Sequence, residues 1–545
     1  MPLLKTAMVS PQCSKTAHTE DGMKSYQPSN LLSADQPLVS RRLVVIILAS
    51  LAFGSVAATI GDPGPTWDET TSLVASESYV DWLFSPSFSG RVIYTAWGPN
   101  HEHPPLAKIW IGLVRHAVQF IVPWSPNLIA SRVATAILFA VLIVLLYAAG
   151  SRLGPAAGIS AALFALLMPR LFAHAHFAAL DLPMALAWFA TAYAFARGIT
   201  DRRWAVAAGV LFGAALLTKI NAVFIPLPLI LWATLAHRKK AILPAALLLG
   251  IGAVVFFAGW PWLWHDTIAR LRVYLFKTTL SRSVVAVYYL GKIYSERYAP
   301  WHYPFVLTLF TVPLGILVCF ALGLKQAIKR QADDCQGVIT PLFAAINFAA
   351  ILLVAALRWA PKYDGVRLFL SLFPFVALLA GAGFQRLWER YCNRRSRRVA
   401  AVALVAIQAL GIVLYHPYET SYYNLLCGGL PGAQKLGLET TYWGDVYADP
   451  IFEYVNKLPE GSRVAFFPAE STFQNIYEWD GYLSDKIAHV KFKEDEFDYA
   501  VLMAREGVLL PNERAARLFR EGKPLLEIKR LGVTLCVIKR VEADE

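Results

Sequence analysis

The chain has 545 residues, of which 56% are hydrophobic and 16% charged, with a mean hydropathy of +0.46. That composition excludes an ordinary soluble protein and calls for a polytopic membrane protein. The formal charge of +13 divides into about +19 over residues 1–415 and about −6 over 416–545, so the basic excess belongs to the membrane part and nucleic acid is excluded as a partner.

Residues 1–42 are polar, rich in Ser and Gln, and carry neither the short apolar core nor the small-residue cleavage site of a signal peptide. They are expected to be a disordered cytoplasmic tail before an uncleaved first span from Leu43. Apolar runs long enough to cross a roughly 30 Å hydrocarbon core in about 20 helical residues then recur to Tyr415. The expected spans are 43–60, 128–150, 155–170, 181–197, 203–218, 221–236, 242–260, 303–324, 338–357, 367–384 and 399–415, about eleven and at most thirteen. With the N-terminus inside, every basic cluster is cytoplasmic: Arg41-Arg42, Arg202-Arg203, Arg238 to Lys240, Lys325 with Lys329-Arg330, and Arg386 to Arg398. The loops 61–127 and 261–302, the turns at 171–180, Thr218 to Asn221 and 358–366, and everything after Tyr415 are then outside.

Loop 61–127 carries helical patterns at 68–84 and 104–122, the second interrupted by Lys108, Arg115, His116 and Gln119, so interfacial helices are expected there. Residues 416–545 read as a small extracytoplasmic α/β domain, with strands at 463–469, 487–492, 499–504 and 533–541 between helices at 449–457 and 512–521. The six cysteines are too scattered for a disulfide framework or a metal site. Cys427 and Cys536, the two placed outside, are expected as free thiols. The fold class is thus mainly α, with a membrane domain over 43–415 and the α/β domain over 416–545.

Charged groups collect on the outer face. In "TWDETTSL" Thr66 is a candidate N-cap, and Asp68 and Glu69 occupy a first helical turn that the helix dipole favours on structural grounds alone. Asp181 is a lone acid at the outer end of an apolar span, where ionisable groups are costly and usually functional, although it can also cap its helix. "GPNHEHPPLAKIW" presents His101, Glu102 and His103, whose residue types suit a divalent cation but whose spacing matches no zinc pattern. Glu102 and, in loop 261–302, His265 are the candidate metal ligands, and a divalent cation is the single cofactor considered. His174 and His176 lie in an outer turn. Lys219, Arg270, Arg272, Lys362 and Arg367 supply cations that snorkel or bind phosphate, Arg being suited to a bidentate grip. Tyr363 joins His103, Lys219, Arg367 and Glu69 as a candidate substrate contact. Proton-accepting carboxylates, cations for a leaving phosphate and apolar walls on one membrane face are the equipment for group transfer from a lipid phosphate. Aromatic residues in "HPYETSYYNLL" and "TTYWGDVY" serve as interfacial anchors or sugar platforms, and both readings stand.

The acidic pair after the first span, "HEHPPLAK", "HFAALDLPMALAWF", "LLTKINAVFIPLPL" and "YDGVRLFLSLFPFVALLAG" follow one another in an order similar to the C-type (GT-C) integral membrane glycosyltransferases. Over residues 43–415 the chain resembles the protein O-mannosyltransferases and the aminoarabinose lipid A transferases. The resemblance implies a polyprenyl-phosphate sugar donor, inversion at the anomeric carbon, and a site between the first outer loop and the membrane face. It implies Asp68 as the catalytic acid of the family, here a general base, and Asp181 as its second acid. Glu102 matches a glutamate that helps bind a metal, while His103 stands where the aminoarabinose transferases have a lysine. The C-terminal α/β segment differs from the β-trefoil inserts of eukaryotic protein mannosyltransferases, so the resemblance does not support a protein acceptor. The expected acceptor classes are a glycolipid, a polysaccharide or a protein, with the site facing the periplasm from a bacterial inner membrane. Two rival classes are a secondary transporter or flippase of lipid-linked or anionic solutes, which predicts mid-membrane acids and repeat symmetry, and a non-catalytic envelope subunit.

Overall fold

The computed structural model of the chain describes residues 38–279, 285–329, 339–469, 472–493 and 496–541. The expected tail lies outside the described residues as far as residue 37. By contacts the chain divides into two units, Met1–Val44 and Val45–Glu545. Among the described residues the first contributes only the start of α1 (Leu38–Ala57), which begins five residues before the expected Leu43. The second unit is mainly helical and holds all that follows.

Its outer loop folds as α2 (Trp67–Phe84), α3 (Gly90–Ala96) and α4 (Leu106–Ile121), close to the two helices expected, with α3 unforeseen. The chain continues through α5 (Asn127–Gly150), α6 (Pro155–Leu166), α7 (Pro169–His176), α8 (Asp181–Gly198), α9 (Arg202–Leu216), α10 (Pro226–His237) and α11 (Ile242–Ala258). Loop 261–302 contains α12 (Thr267–Thr279) and a hairpin of β1 (Ala286–Tyr289) and β2 (Lys292–Ser295). Then come α13 (Tyr303–Thr311), α14 (Leu314–Lys329), α15 (Pro341–Ala356) and α16 (Phe373–Tyr391).

Two expected spans are broken: α6 and α7 meet at 64°, and α13 and α14 at 119°. Both breaks fall just before or at a proline, Pro169 and Pro313, which removes a backbone donor and cannot continue a helix without a kink. Among the described residues four stretches are long and apolar enough to cross a membrane, or six with the bent pairs, against the eleven expected.

Helix α16 is the centre of the bundle, with Phe373 to Phe384 buried without interruption. Small residues let its neighbours approach at backbone distance: a Cβ on Gly383 would meet the Cys319 carbonyl of α14 at 1.9 Å. The 3-10 turn Arg367–Leu372 leads directly into this buried helix.

Later in the chain, β3 (Arg463–Phe467), β4 (Ala488–Val490), β5 (Tyr499–Met503), β6 (Leu526–Arg530) and β7 (Val533–Arg540) form one mixed sheet in the order β4-β3-β5-β7-β6. The pairs β3–β4 and β3–β5 are parallel, whereas β5–β7 and β6–β7 are antiparallel. Alternating helices and apolar strands account for the sheet. Strand β6, "LEIKR", went unforeseen because its charges mask the period-two pattern. Cys427 and Cys536 are both buried and free.

Candidate active site

Thr66 precedes α2, and the Glu69 carboxylate reaches back to accept from its backbone N–H at 2.9 Å and its hydroxyl at 3.1 Å, a capping arrangement that fixes the helix entry. The Glu69 oxygens also receive Arg132 Nε at 2.8 Å, Arg132 Nη2 at 2.9 Å and the Ala178 N–H at 2.8 Å. Arg132 in turn donates to the carbonyls of Ile60, Pro63 and Gly64. Glu69 is 0% exposed. It ties the outer loop to α5 and to the turn before α8, so its place is in supporting the loop rather than in contacting a substrate.

One residue earlier, Asp68 faces the other way. Its side chain is 32% exposed, and its Oδ2 meets Arg367 Nη2. Arg367 distributes its guanidinium over three carboxylates, with Nε donating to Asp181 Oδ2 and Nη1 to Asp364 Oδ2, each at 3.0 Å. Lys219 Nζ donates to the remaining oxygen of Asp181 at 2.6 Å. Asp181 opens α8 but makes no cap bond; both its oxygens go to cations in a buried setting. The structure thus joins Asp68, Arg367, Asp181 and Lys219 from four separated segments into one chain of ion pairs, with the Tyr363 ring 5.7 Å from the Arg367 guanidinium.

Three further residues complete this chain, and the sequence reading missed them in that role. Asp364 is held by Arg367 and by Arg505 Nη2, the latter at 2.7 Å. Arg505 follows β5 and stacks on Trp67 at 4.9 Å, and Trp443 stacks on Arg367 at 4.2 Å. Asp364 sits in a polar turn and Arg505 in a segment of ordinary charge density, where a single ionic residue carries no signal. The pair Asp364-Gly365 offered one, since an Asp-Gly turn marks positive φ; the two have φ of 52° and 66°.

The His-Glu-His segment is organised differently. Lys108 Nζ folds back onto the carbonyls of Asn100 and His103 at 2.8 and 2.7 Å and onto Asn100 Oδ1 at 3.0 Å. Burial pushes the Lys108 ammonium well below the usual lysine range, a shift that Glu102 opposes. His101 stacks on Trp262 at 4.8 Å, which brings this turn against the segment carrying His265. Glu102 and His265 are nevertheless exposed, and among the described residues the one group of three ligand atoms lies elsewhere, at Glu77, Asp81 and His116. A metal bound through Glu102 and His265 does not fit these residues, because among the described residues no third ligand joins either of them. His103 belongs to this Lys108 cradle through its carbonyl. Lys362 and Arg270 are committed to backbone carbonyls, at Leu357 and Ala360 and at Trp262.

An apolar cavity of about 870 Å³ opens between α1, α4, α5, α8 and α9. Phe53, Trp110, Val144, Leu186 and Leu211 are among its walls, and it includes Thr218, next to Lys219.

A sequence model of the dolichyl-phosphate-mannose-protein mannosyltransferase family matches residues 102–265. Crystal structures of ArnT from Cupriavidus metallidurans resemble the chain at 16% identity over 92% of this chain and 97% of that one, with TM-scores of 0.51 for the apo state and 0.50 for the complex with undecaprenyl phosphate. The S. cerevisiae protein O-mannosyltransferase Pmt1-Pmt2 complex bound to the sugar donor aligns at 19% identity over 46% of this chain and 39% of that one, with a TM-score of 0.33. No curated protein matches the chain by sequence.

Proposed function

We propose that this chain, which resembles the C-type integral membrane glycosyltransferases, is an inverting glycosyltransferase that moves a sugar from a polyprenyl-phosphate-linked donor to an acceptor hydroxyl. The observation that carries the reading is the partly exposed Asp68 at the open end of a buried ion-pair chain whose other end, Lys219, adjoins the apolar cavity. The lipid chain of the donor lies in that cavity and its phosphate near the cations. ArnT, solved with undecaprenyl phosphate, supports this donor class.

Asp68 takes the proton from the acceptor hydroxyl as that oxygen bonds to the anomeric carbon from the face opposite the phosphate. The bond from the anomeric carbon to the phosphate oxygen breaks, and the lipid phosphate leaves with the electron pair. Protonation discharges Asp68, which releases Arg367 Nη2 toward the phosphate as charge builds there, with Lys219 beside it. Asp181 holds both cations in position. With its basic clusters on the cytoplasmic side, the chain carries this site on the outer face, periplasmic in a bacterial inner membrane, with residues 416–545 as an extracytoplasmic α/β domain over the membrane domain 43–415. The acceptor is a glycolipid, a polysaccharide or a protein.

Asp68→Asn is expected to lower transfer from a labelled polyprenyl-phosphate sugar by about 10²- to 10⁴-fold with an unchanged unfolding temperature. Turnover of the purified variant near the wild-type rate would overturn the assignment.

A further inference from the structure

A second polar pocket lies one layer behind Arg367, lined by Arg170, His174, Asp364, Thr420, Tyr442 and Trp443. Its volume of about 10 Å³ has room for one water-sized oxygen. Arg170, His174 and Trp443 are exposed by 2%, 6% and 1%, and each has a nitrogen without a protein partner: Nη2, Nδ1 and Nε1. Two of these are obligate donors, and His174 is a third in the tautomer with its proton on Nδ1.

Asp68, Asp181 and Asp364 answer Lys219, Arg367 and Arg505, so the ion-pair chain is balanced. Arg170 lies outside that chain, and the buried carboxylate that feels its charge is Asp445, which accepts from Thr420 at the pocket wall. The Arg170 guanidinium lies between the rings of Tyr423 and Tyr442 at 4.8 and 4.9 Å, and Nε donates to the Tyr422 carbonyl at 3.2 Å. The carboxylate lining its pocket, Asp364, has one oxygen on Arg367 and the other on Arg505. The close packing around Arg170 depends on Gly365, where a Cβ would sit 2.4 Å from Arg170 Nη1, and Trp443 holds a φ of 61°, a conformation rare for a bulky residue and typical of functional sites.

We propose that Arg170, His174 and Trp443 form an oxyanion pocket that holds a phosphate or carboxylate oxygen of the acceptor. This deepens the glycosyl-transfer reading and rests on it: the acceptor is anionic. The pocket shares no lining residue with the apolar cavity. The cavity adjoins the ion-pair chain at Lys219, whereas the pocket adjoins it at Asp364 and Trp443, so donor and acceptor charges have separate places.

The test is thermal unfolding of the purified full chain in inorganic phosphate, in acetate and in chloride of equal ionic strength, with and without saturating polyprenyl phosphate. Phosphate is expected to raise the wild-type midpoint by about 2 °C relative to chloride, with the shift retained when polyprenyl phosphate is present. Arg170→Gln and Trp443→Phe should lose it. The second keeps the ring over Arg367 and removes only the N–H, which preserves the test if the first does not fold. Equal shifts in wild type and both variants, or no shift from either oxyanion, would overturn the pocket. Abolition of the shift by polyprenyl phosphate would hand the site to the donor and overturn the anionic acceptor. Because binding needs no turnover, Asp68→Asn should keep the shift. Oxyanion binding as expected without any sugar transfer would sink the enzyme reading alone.

Discussion

Glu69 is fully buried with both oxygens bound, whereas the Asp68 side chain beside it is 32% exposed and meets a single guanidinium. Removing Glu69 strands Arg132 as an unpaired cation inside the fold, so Glu69→Ala should cost about 3–5 kcal/mol, read as a lower denaturation midpoint. Asp68→Asn should leave that midpoint in place while transfer collapses, and the opposite pairing would exchange their roles. The four residues Asp68, Asp181, Lys219 and Arg367 were legible in the sequence because three of them interrupt apolar runs, where a charge is conspicuous. Arg170, Asp364 and Arg505 were not: Asp364 sits in a polar turn, Arg170 ends an apolar run where a cation passes for an interfacial anchor, Arg505 follows an apolar strand, and each gains meaning from partners far along the chain. Glu102 and His265 are of a suitable type for a metal, yet among the described residues neither joins a group of three ligand atoms.

At the scale of elements, the segment after the last span is clasped to the loop after β5 by two acids. Glu439 accepts from the Gly507 N–H at 3.0 Å, and Glu506 accepts from the Thr440 N–H at 3.3 Å and its hydroxyl at 3.0 Å. Burial pushes Glu439 up to about 8, against the pull of Arg505, and Glu506 up to about 7. The folded state therefore keeps protons that an unfolded chain gives up above about 4.5. The stability they contribute is complete below that pH and is lost as pH rises through 7 and 8. His416, between Glu419 and Asp62 and raised to about 9, acts in the same direction. The unfolding temperature should fall between pH 5.5 and 8.5, and Glu439→Gln should flatten the profile. A profile that rises over this window would contradict the clasp. The turn residues of this segment gave little warning, because a buried Glu and an exposed one look alike in sequence.

For the molecule as a whole, helical content follows from the apolar runs, yet the path of the chain does not. The proline breaks at 64° and 119° turn two expected crossings into bent pairs, an outcome of packing around α16 that local hydropathy cannot report. The segment after β5 also reaches the ion-pair chain, through Arg505 on Asp364. Arg505→Ala should unpair Asp364 from one of its two cations and lower transfer at least tenfold, whereas a wild-type rate would confine the sheet to packing. Gly64 adds a second tie: its N–H donates to the Asp445 carbonyl at 2.9 Å, and a Cβ there would lie 2.1 Å from the Tyr447 carbonyl. The loop that carries Asp68 is thus seated against backbone made some 380 residues later, and its salt bridges are finished by a residue later still. A chain cut before Asp445 therefore lacks the backbone against which the Asp68 loop is seated, whatever becomes of its helices.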